Sequence, residues 1–188
     1  TFNPPHIGHI RAARQAAQIL QLDKLLLIPD RIAPHKEIPS GSPTPEQRLE
    51  MLQIAVQNCP ELETSDIELR REGPSYSFIT VEQLRAEYPD AKLFLLMGTD
   101  MFLSFLSWKN PERILANVTL AVLYRGEKGE VQRIEEQMQK LSQMGAGVVL
   151  VKNDVVNISS TQMRRLLAFR CAGEFLPEGV LDYIRENR

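Results

Sequence analysis

The order of apolar and polar positions divides the chain into two kinds of segment. Some place apolar residues three and four positions apart, which predicts amphipathic helices; others are short apolar runs, which predict strands, buried where the run is unbroken. The predicted helices cover residues 7–20, 44–58, 77–88, 110–116, 131–144 and 158–167, with a short helical stretch after 100 and a last helix opening at 177–178. The predicted strands cover residues 24–28, 63–70, 92–97, 118–124 and 148–151.

Strands that alternate with helices predict an α/β fold with a doubly wound, mainly parallel sheet. We expect one domain over residues 1–188, with residues 159–188 as a small C-terminal helical part. The sequence begins at Thr1 without a methionine, and we expect a further strand ahead of it. Ligands of such sheets bind at the carboxyl ends of the strands. One site built from several loops is therefore predicted, from the polar clusters at 1–9, 29–36, 98–100 and 157–164.

Two of the predicted helices begin with recognisable capping residues. Thr44 stands before Pro45 and three residues ahead of Gln47, which is the pattern of a capping box. Ser77 stands at the start of the next helix, where a serine hydroxyl commonly accepts a backbone N–H. The helix over 131–144 is rich in charged and amide side chains, so we expect it to be exposed.

Composition narrows the class of protein. Lys+Arg 22 against Asp+Glu 24 gives a net charge of −2, so the total charge does not indicate nucleic-acid binding. Cys59 and Cys171 stand alone, with no Cys-x-x-Cys spacing and no nearby histidine pair, which favours buried free thiols in a reducing compartment. The apolar runs are too short to span a membrane, and no signal peptide is visible. We therefore expect a cytoplasmic protein whose partners are neither nucleic acid nor membrane.

The first nine residues carry the densest candidate chemistry. Pro4 and Pro5 predict a tight corner just before the first helix, and the start of a helix binds anions through its free N–H groups and positive dipole end. His6 and His9 are three residues apart and share one helix face, while Gly8 leaves room for a ligand near the backbone. A lone histidine at a helix start is more often a cap or a surface residue. This pair around a glycine favours a polyphosphate site instead.

A second candidate anion site lies late in the chain. Ser159 can cap the helix there, while Ser160 and Thr161 offer hydroxyl and N–H groups to an anion. Arg164, about one turn further on, carries a guanidinium fork that matches phosphate geometry. The alternative is a plain serine cap with a solvated arginine. We favour the phosphate interpretation because the opening stretch predicts the same kind of ligand.

Together the two stretches resemble the nucleotidyltransferase superfamily, which is marked by His-x-Gly-His near the first helix and a late Ser-Ser-Thr-x-x-Arg. Within it, the chain is similar to bacterial nicotinate-nucleotide adenylyltransferases along its whole length. The motifs that carry the similarity are Thr1-Phe2-Asn3-Pro4-Pro5-His6-Ile7-Gly8-His9, Ile28-Pro29, Pro34-His35-Lys36, Ser75-Tyr76-Ser77, Gly98-Thr99-Asp100, Trp108 and Ile158-Ser159-Ser160-Thr161-Gln162-Met163-Arg164.

The chain departs from this family's pattern in three places. Asn3 stands where many members have aspartate, and Ser77 replaces a frequent threonine but keeps the hydroxyl. Arg125 lacks the proline that commonly follows it.

The resemblance implies a Rossmann-like nucleotidyltransferase fold and transfer of AMP from ATP to nicotinate mononucleotide, giving deamido-NAD and pyrophosphate. The attack would be in line, with Mg²⁺ on the triphosphate, no covalent enzyme intermediate and no metal ligand from the protein. The implied catalytic residues are His6, His9 and Arg164. The implied ATP-binding residues are Thr1, Phe2, His6, Gly8, His9, Lys36, Gly98, Asp100, Ile158, Ser159, Ser160, Thr161 and Arg164. The implied mononucleotide-binding residues are Asn3, Lys36, Ser77, Thr80, Trp108 and Lys109.

Several alternatives stay open at this point. Trp108 could be a core tryptophan, and Lys36 an ordinary solvated loop lysine. The chain could be a pantetheine-phosphate type of adenylyltransferase or a nucleotide-binding regulator without turnover. Class I aminoacyl-tRNA synthetases share His-Ile-Gly-His, but their lysine-rich second signature and basic face are absent here. Homo-oligomer formation is open as well.

Overall fold

The structure, a computed structural model, describes residues 2–34, 39–153, 160–168 and 173–187, with Ser160 and Ala168 described by their backbone alone. The chain divides into two compact units. The first consists of Thr1–Ser75 with Val155–Arg188, and the second is the continuous segment Tyr76–Asp154. Each unit is therefore described by itself. The prediction of a single domain over 1–188 stays a prediction.

The first unit contains two strands and four helices in its described part. In chain order they are α1 (Ile7–Ile19), β1 (Leu25–Leu27), α2 (Pro45–Val56) and β2 (Leu62–Thr64), followed after the second unit by α7 (Ser160–Ala168) and α8 (Val180–Glu186). A 3-10 turn, Gly173–Phe175, precedes α8. β1 and β2 pair in parallel, with Leu25 opposite Leu62 and Leu27 opposite Thr64.

The second unit contains a three-stranded parallel sheet with strand order β3-β4-β5. Its elements are α3 (Ser77–Glu87), β3 (Phe94–Gly98), α4 (Thr99–Leu103), α5 (Pro111–Leu115), β4 (Thr119–Tyr124), α6 (Glu130–Ser142) and β5 (Val148–Lys152), with a 3-10 turn at Phe105–Ser107. Gly98 lies opposite Leu123, so β3 and β4 end side by side. The predicted α/β fold with parallel sheets is confirmed.

Of the caps predicted for α2 and α3, one is confirmed and one is wrong. The capping box of α2 is confirmed: the Thr44 hydroxyl accepts the Gln47 N–H at 3.2 Å, and Gln47 Oε1 accepts the Thr44 N–H at 2.9 Å. The prediction that Ser77 caps α3 is wrong. Ser77 is the first helical residue, and Tyr76 is the N-cap without a side-chain hydrogen bond.

The predicted strand over 63–70 is too long. β2 ends at Thr64, and the Ser65 N–H makes the next bond, to the Leu27 carbonyl at 3.1 Å. The Ser65 hydroxyl then accepts the N–H of Ile67 at 3.3 Å, a local bond that competes with strand pairing. The Asp66 carbonyl accepts the N–H groups of the residues three and four positions on, so the chain turns.

Apolar burial holds each unit together. In the second unit, fully buried side chains from α4, α5, β4 and α6 form one cluster, which includes Phe102, Ile114, Leu120, Ile134 and Leu141. Burying a side chain of this size contributes about 1.5–3 kcal/mol. The prediction that the helix over 131–144 is exposed is therefore wrong for one face of α6. No helix in the described part of the chain has the length and apolar character that crossing a membrane requires.

Candidate functional site

Two stacked histidines stand at the start of α1, directly after the proline corner. His6 is the N-cap of α1 in an extended conformation, and its backbone N–H donates to His9 Nδ1 at 3.3 Å. The two imidazole rings stack with their centroids 3.7 Å apart. The Phe2 ring meets His9 edge-on at 5.0 Å. The predicted pair of histidines on one helix face is thus a compact group at the positive end of a 13-residue helix.

Two polar side chains at this proline corner are almost fully buried, which is unusual for polar groups. His6 is 4% exposed and Asn3 is 6% exposed. Burial lowers the pKa of His6 to about 4, so its imidazole is neutral at pH 7. His6 Nδ1 and Asn3 Oδ1 are both buried without a hydrogen-bond partner. Because such groups cost free energy when unsatisfied, their presence together favours a site that a polar ligand completes.

Arg164 reaches the same corner from the far end of the chain. Its Nη1 donates to the Asn3 carbonyl at 3.0 Å, and its Nη2 donates to the Thr161 hydroxyl at 3.1 Å. Met163, the residue before it, is fully buried and fixes α7. The guanidinium therefore lies beside the segment that ends in His6, although 161 positions separate it from Asn3. This geometry gathers the groups that suit phosphate within the first unit.

Two further contacts hold this part of the first unit in place, and sequence reasoning missed them. Asn3 Nδ2 donates to the Ser42 hydroxyl at 3.0 Å, which ties the corner to the segment before α2. Arg48, only 1% exposed, donates to Asp30 Oδ1 at 2.7 Å and to the Asp30 carbonyl at 2.6 Å. The available signal was the position of Arg48 on the apolar face of α2, three and four residues ahead of Met51 and Leu52.

In the second unit, Gly98 and Asp100 lie at the carboxyl end of β3. A Cβ built on Gly98 would meet no atom within 4 Å, so the space beside this backbone is open. Asp100 is exposed in the first turn of α4. An exposed carboxylate at a strand end can accept hydrogen bonds from sugar hydroxyls. Both residues thus occupy the edge where ligands of parallel sheets bind.

Trp108 packs against core residues but is only half-buried. It follows the 3-10 turn, lies 5.4 Å from the Phe105 ring in a tilted arrangement and is half-buried against the core cluster of the second unit. Lys109 is exposed and places its Nζ 4.3 Å from the centroid of the Tyr76 ring. The core interpretation therefore holds for only part of the Trp108 indole.

Three of the remaining predicted site residues are partly or fully buried, and the others lie outside the described part of the chain. Ser77 is half-buried, Thr80 is buried in α3, and Gly8 is buried in the first turn of α1. Outside the described residues or side chains lie Thr1, Lys36, Ile158, Ser159 and the hydroxyl of Ser160.

A family model and two relatives of similar length relate this chain to nucleotidyltransferases. The cytidylyltransferase-like family matches residues 1–166. A probable nicotinate-nucleotide adenylyltransferase of Pseudomonas syringae pv. tomato is 36% identical, over 98% of this chain and 87% of that protein. A probable nicotinate-nucleotide adenylyltransferase of Dictyoglomus turgidum is 35% identical, over 100% of this chain and 90% of that protein.

Solved structures share the fold. The Plasmodium falciparum nicotinic acid mononucleotide adenylyltransferase complexed with NaAD superposes with a TM-score of 0.76 at 14% identity, over 99% of this chain and 91% of that one. The same enzyme complexed with APC superposes with a TM-score of 0.73 at 13% identity.

Proposed function

We propose that this chain, which belongs to the nicotinate-nucleotide adenylyltransferase family of nucleotidyltransferases, transfers the AMP unit of ATP to nicotinate mononucleotide. A phosphate oxygen of the mononucleotide attacks the α-phosphorus of ATP, and the bond from that phosphorus to the bridging oxygen of the β-phosphate breaks. The products are deamido-NAD and pyrophosphate. This direct displacement needs positioned reactants and neutralised charge more than an enzymic nucleophile.

The observation that carries the proposal is the contact of Arg164 with the Asn3 carbonyl, beside the stacked histidines. A guanidinium, two imidazoles and a helix N-terminus within one corner suit a triphosphate. In this proposal His6 and His9 stabilise the charge on the transferred phosphoryl group. Arg164 and Thr161 bind the β- and γ-phosphates, with Ser160 and the α7 backbone. Thr1, Phe2, Gly8, Lys36, Ile158 and Ser159 complete the proposed ATP contacts.

In the second unit, the proposed roles concern the ribose and the pyridine ring. Asp100 accepts hydrogen bonds from ribose hydroxyls, and Gly98 lets the nucleotide approach. The exposed part of the Trp108 indole stacks on the pyridine ring, and the ammonium group of Lys109 pairs with the nicotinate carboxylate. Ser77 and Thr80, in the first turn of α3, bind the carboxylate or the phosphate of the mononucleotide in this proposal, and Asn3 completes its contacts.

We propose that Mg²⁺ accompanies ATP and is bound by its phosphate oxygens. The described side chains at the corner of the first unit include two imidazoles, a guanidinium, an amide and two hydroxyls, which suit phosphate oxygens, whereas Mg²⁺ is usually bound through carboxylates and substrate phosphates. Among described side chains, no group of three or more His, Cys, Asp and Glu could hold a metal ion. When bound, the cation would neutralise phosphate charge. We place the reaction in the cytoplasm, in keeping with the free, buried thiol of Cys59.

A pyrophosphate-release assay with ATP and a panel of acceptors tests the proposal. The panel contains nicotinate mononucleotide, nicotinamide mononucleotide and phosphopantetheine, and we expect nicotinate mononucleotide to give the highest kcat/KM. A preference for phosphopantetheine would contradict the proposed substrate. ATP binding without turnover on any acceptor would support the regulator alternative.

A further inference from the structure

Glu130, the first residue of α6, has a buried carboxylate that joins the loop after β4 to the start of α4. Its side chain is 5% exposed. Oε2 accepts three successive backbone N–H groups at 3.0, 2.7 and 3.0 Å, those of Arg125, Gly126 and Glu127. Oε1 accepts the hydroxyl of Thr99 at 2.5 Å. Four donors therefore meet on one side chain.

The loop after β4 forms an anion-binding nest around this carboxylate. Successive N–H groups that point at one centre create such a nest, and Gly126 supplies the left-handed conformation with φ +80. Burial alone would raise the pKa of Glu130, but the hydrogen bonds from Thr99 and the three loop N–H groups outweigh it and lower the pKa. The carboxylate is therefore ionised at neutral pH and holds the loop by charge-assisted bonds.

The start of α4 and the loop after β4 lie at the carboxyl ends of neighbouring parallel strands. Gly98 ends β3 and Tyr124 ends β4, and the register places Gly98 opposite Leu123. The Thr99 hydroxyl also lies 3.3 Å from the Leu123 carbonyl. Asp100 is the next residue and is exposed. The orientation of the Asp100 turn relative to β4 thus depends on Thr99 and on the carboxylate it contacts.

We propose that Glu130 is a positioning residue for ATP binding, which sets the turn Gly98–Asp100 against the loop 125–127. Its two oxygens are occupied by the four donors, so it acts through Asp100 and not on the substrate. The inference rests on the proposed function, because the role of Asp100 toward the ribose belongs to that proposal. Glutamine is a poor substitute for Glu130 because it has no charge, so all four contacts lose their charge assistance. The Thr99 hydroxyl would also have to change from donor to acceptor to pair with the amide nitrogen.

The test compares Glu130→Gln and Thr99→Val with two matched controls. Thr99→Ser keeps the hydroxyl, and Glu135→Gln changes an exposed glutamate of the same helix. Amide hydrogen exchange at residues 125–127 is measured without ligand, and the ATP dissociation constant by titration. In Glu130→Gln we expect exchange to be faster and the dissociation constant to rise, each by roughly tenfold or more. Thr99→Val should weaken ATP binding, while both controls should behave as the unsubstituted protein.

The outcomes separate this inference from the proposed reaction. Unchanged exchange at 125–127 in Glu130→Gln would overturn it, and so would faster exchange with unchanged ATP affinity. Where Glu130→Gln does not fold, equal ATP affinity of Thr99→Val and Thr99→Ser would overturn it. If the unsubstituted protein binds ATP but releases no pyrophosphate with any acceptor, the proposed reaction alone fails. If it binds no ATP, both proposals fail.

Discussion

At the scale of single residues, the proposed chemistry depends on how burial changes the histidine pair. His6 is buried, and its pKa is lowered to about 4 by loss of hydration, whereas His9 is half-buried against its ring. A bound polyphosphate would bring negative charge next to the buried His6 ring and favour its protonated form. His6 can therefore gain a positive charge when the ligand binds, whereas an arginine is positively charged with or without the ligand.

His9→Ala tests the proposed charge stabilisation. We expect kcat to fall by roughly 10²-fold or more, as for removal of a preorganised charge-stabilising group. Thermal unfolding should shift far less than kcat, by no more than loss of the stacking on His6 and of the bond from the His6 N–H to His9 Nδ1 accounts for, about 0.5–2 kcal/mol. Gln18→Ala, on an exposed position of α1, is the control. Equal pyrophosphate release by His9→Ala and the unsubstituted protein would contradict the role.

His6 should make the stability of the fold depend on pH. Its pKa is about 4 in the folded protein and 6.5 in an unfolded chain, so between these values the unfolded chain binds more protons. The stability that comes from the neutral imidazole is complete above pH 6.5 and is lost as pH falls toward 4. Between pH 7 and pH 5 we expect a loss of roughly 1–2 kcal/mol in the free energy of unfolding. Urea unfolding measures it, and His6→Asn should lack this component.

Trp108→Ala tests the proposed ring stacking. The KM for nicotinate mononucleotide should rise by roughly tenfold, because a stacked aromatic pair is worth about 1 kcal/mol beyond its buried area. The KM for ATP should change much less, and Trp108→Phe should recover most of the loss. Equal effects on the two substrates would count against stacking.

At the scale of elements, hydrogen bonds from side chains decide where helices and strands end. The Arg85 side chain closes α3: its Nη1 donates to carbonyls of the turn after the helix, including Ala91 at 2.6 Å, and its Nη2 donates to Asn117 at 2.8 Å. These bonds satisfy carbonyls of the segments that follow α3 and α5, which lie outside helices and strands. They also link the end of α3 to the segment after α5.

Arg85→Met should therefore destabilise the second unit. We expect the free energy of unfolding to fall by about 1.5–3 kcal/mol, the usual range for lost hydrogen bonds to a charged group. Lys140→Met replaces an exposed cation of α6 and serves as the control in the same denaturant titration. If both variants unfolded at the same denaturant concentration, the Arg85 hydrogen bonds would contribute nothing to the stability of the second unit.

At the scale of the molecule, the chain returns to the first unit after completing the second. Unit one therefore contains the beginning and the end of the chain. α8 packs against α2 there, and the Tyr183 hydroxyl donates to Glu50. Gly179, just before α8, has φ +78, and a Cβ on it would lie 2.9 Å from Ile54 Cγ2. The close approach of the last helix to an early one thus depends on a glycine.

Gly179→Ala should destabilise this docking beyond the cost of its backbone conformation. Gly145→Ala is a matched control, since Gly145 has φ +74 but open space around its Cβ position. Both substitutions pay roughly 1 kcal/mol for the left-handed conformation. Only Gly179→Ala meets the stiff Ile54 side chain, and we expect it to cost a further 1–3 kcal/mol or so in chemical unfolding. Equal losses would exclude the steric contribution.

The sequence by itself determined the features that depend on neighbouring residues. Periodic apolar positions predicted α1 and α2, the capping box predicted the start of α2, and short, mainly apolar runs predicted β1, β3, β4 and β5. The opening and closing motifs also pointed to one family, which the matched relatives confirm. Such signals are legible because helix turns, caps and strand runs involve contacts within a few positions of the chain.

Only the tertiary structure decided which distant groups meet. It placed Arg164 on the Asn3 carbonyl and buried the charged Arg48 against Asp30. It also turned Glu130 inward, although its helix carries mostly polar residues. Each outcome depends on the three-dimensional surroundings of a polar group, because burial forces that group to find a partner and the partner can lie anywhere along the chain.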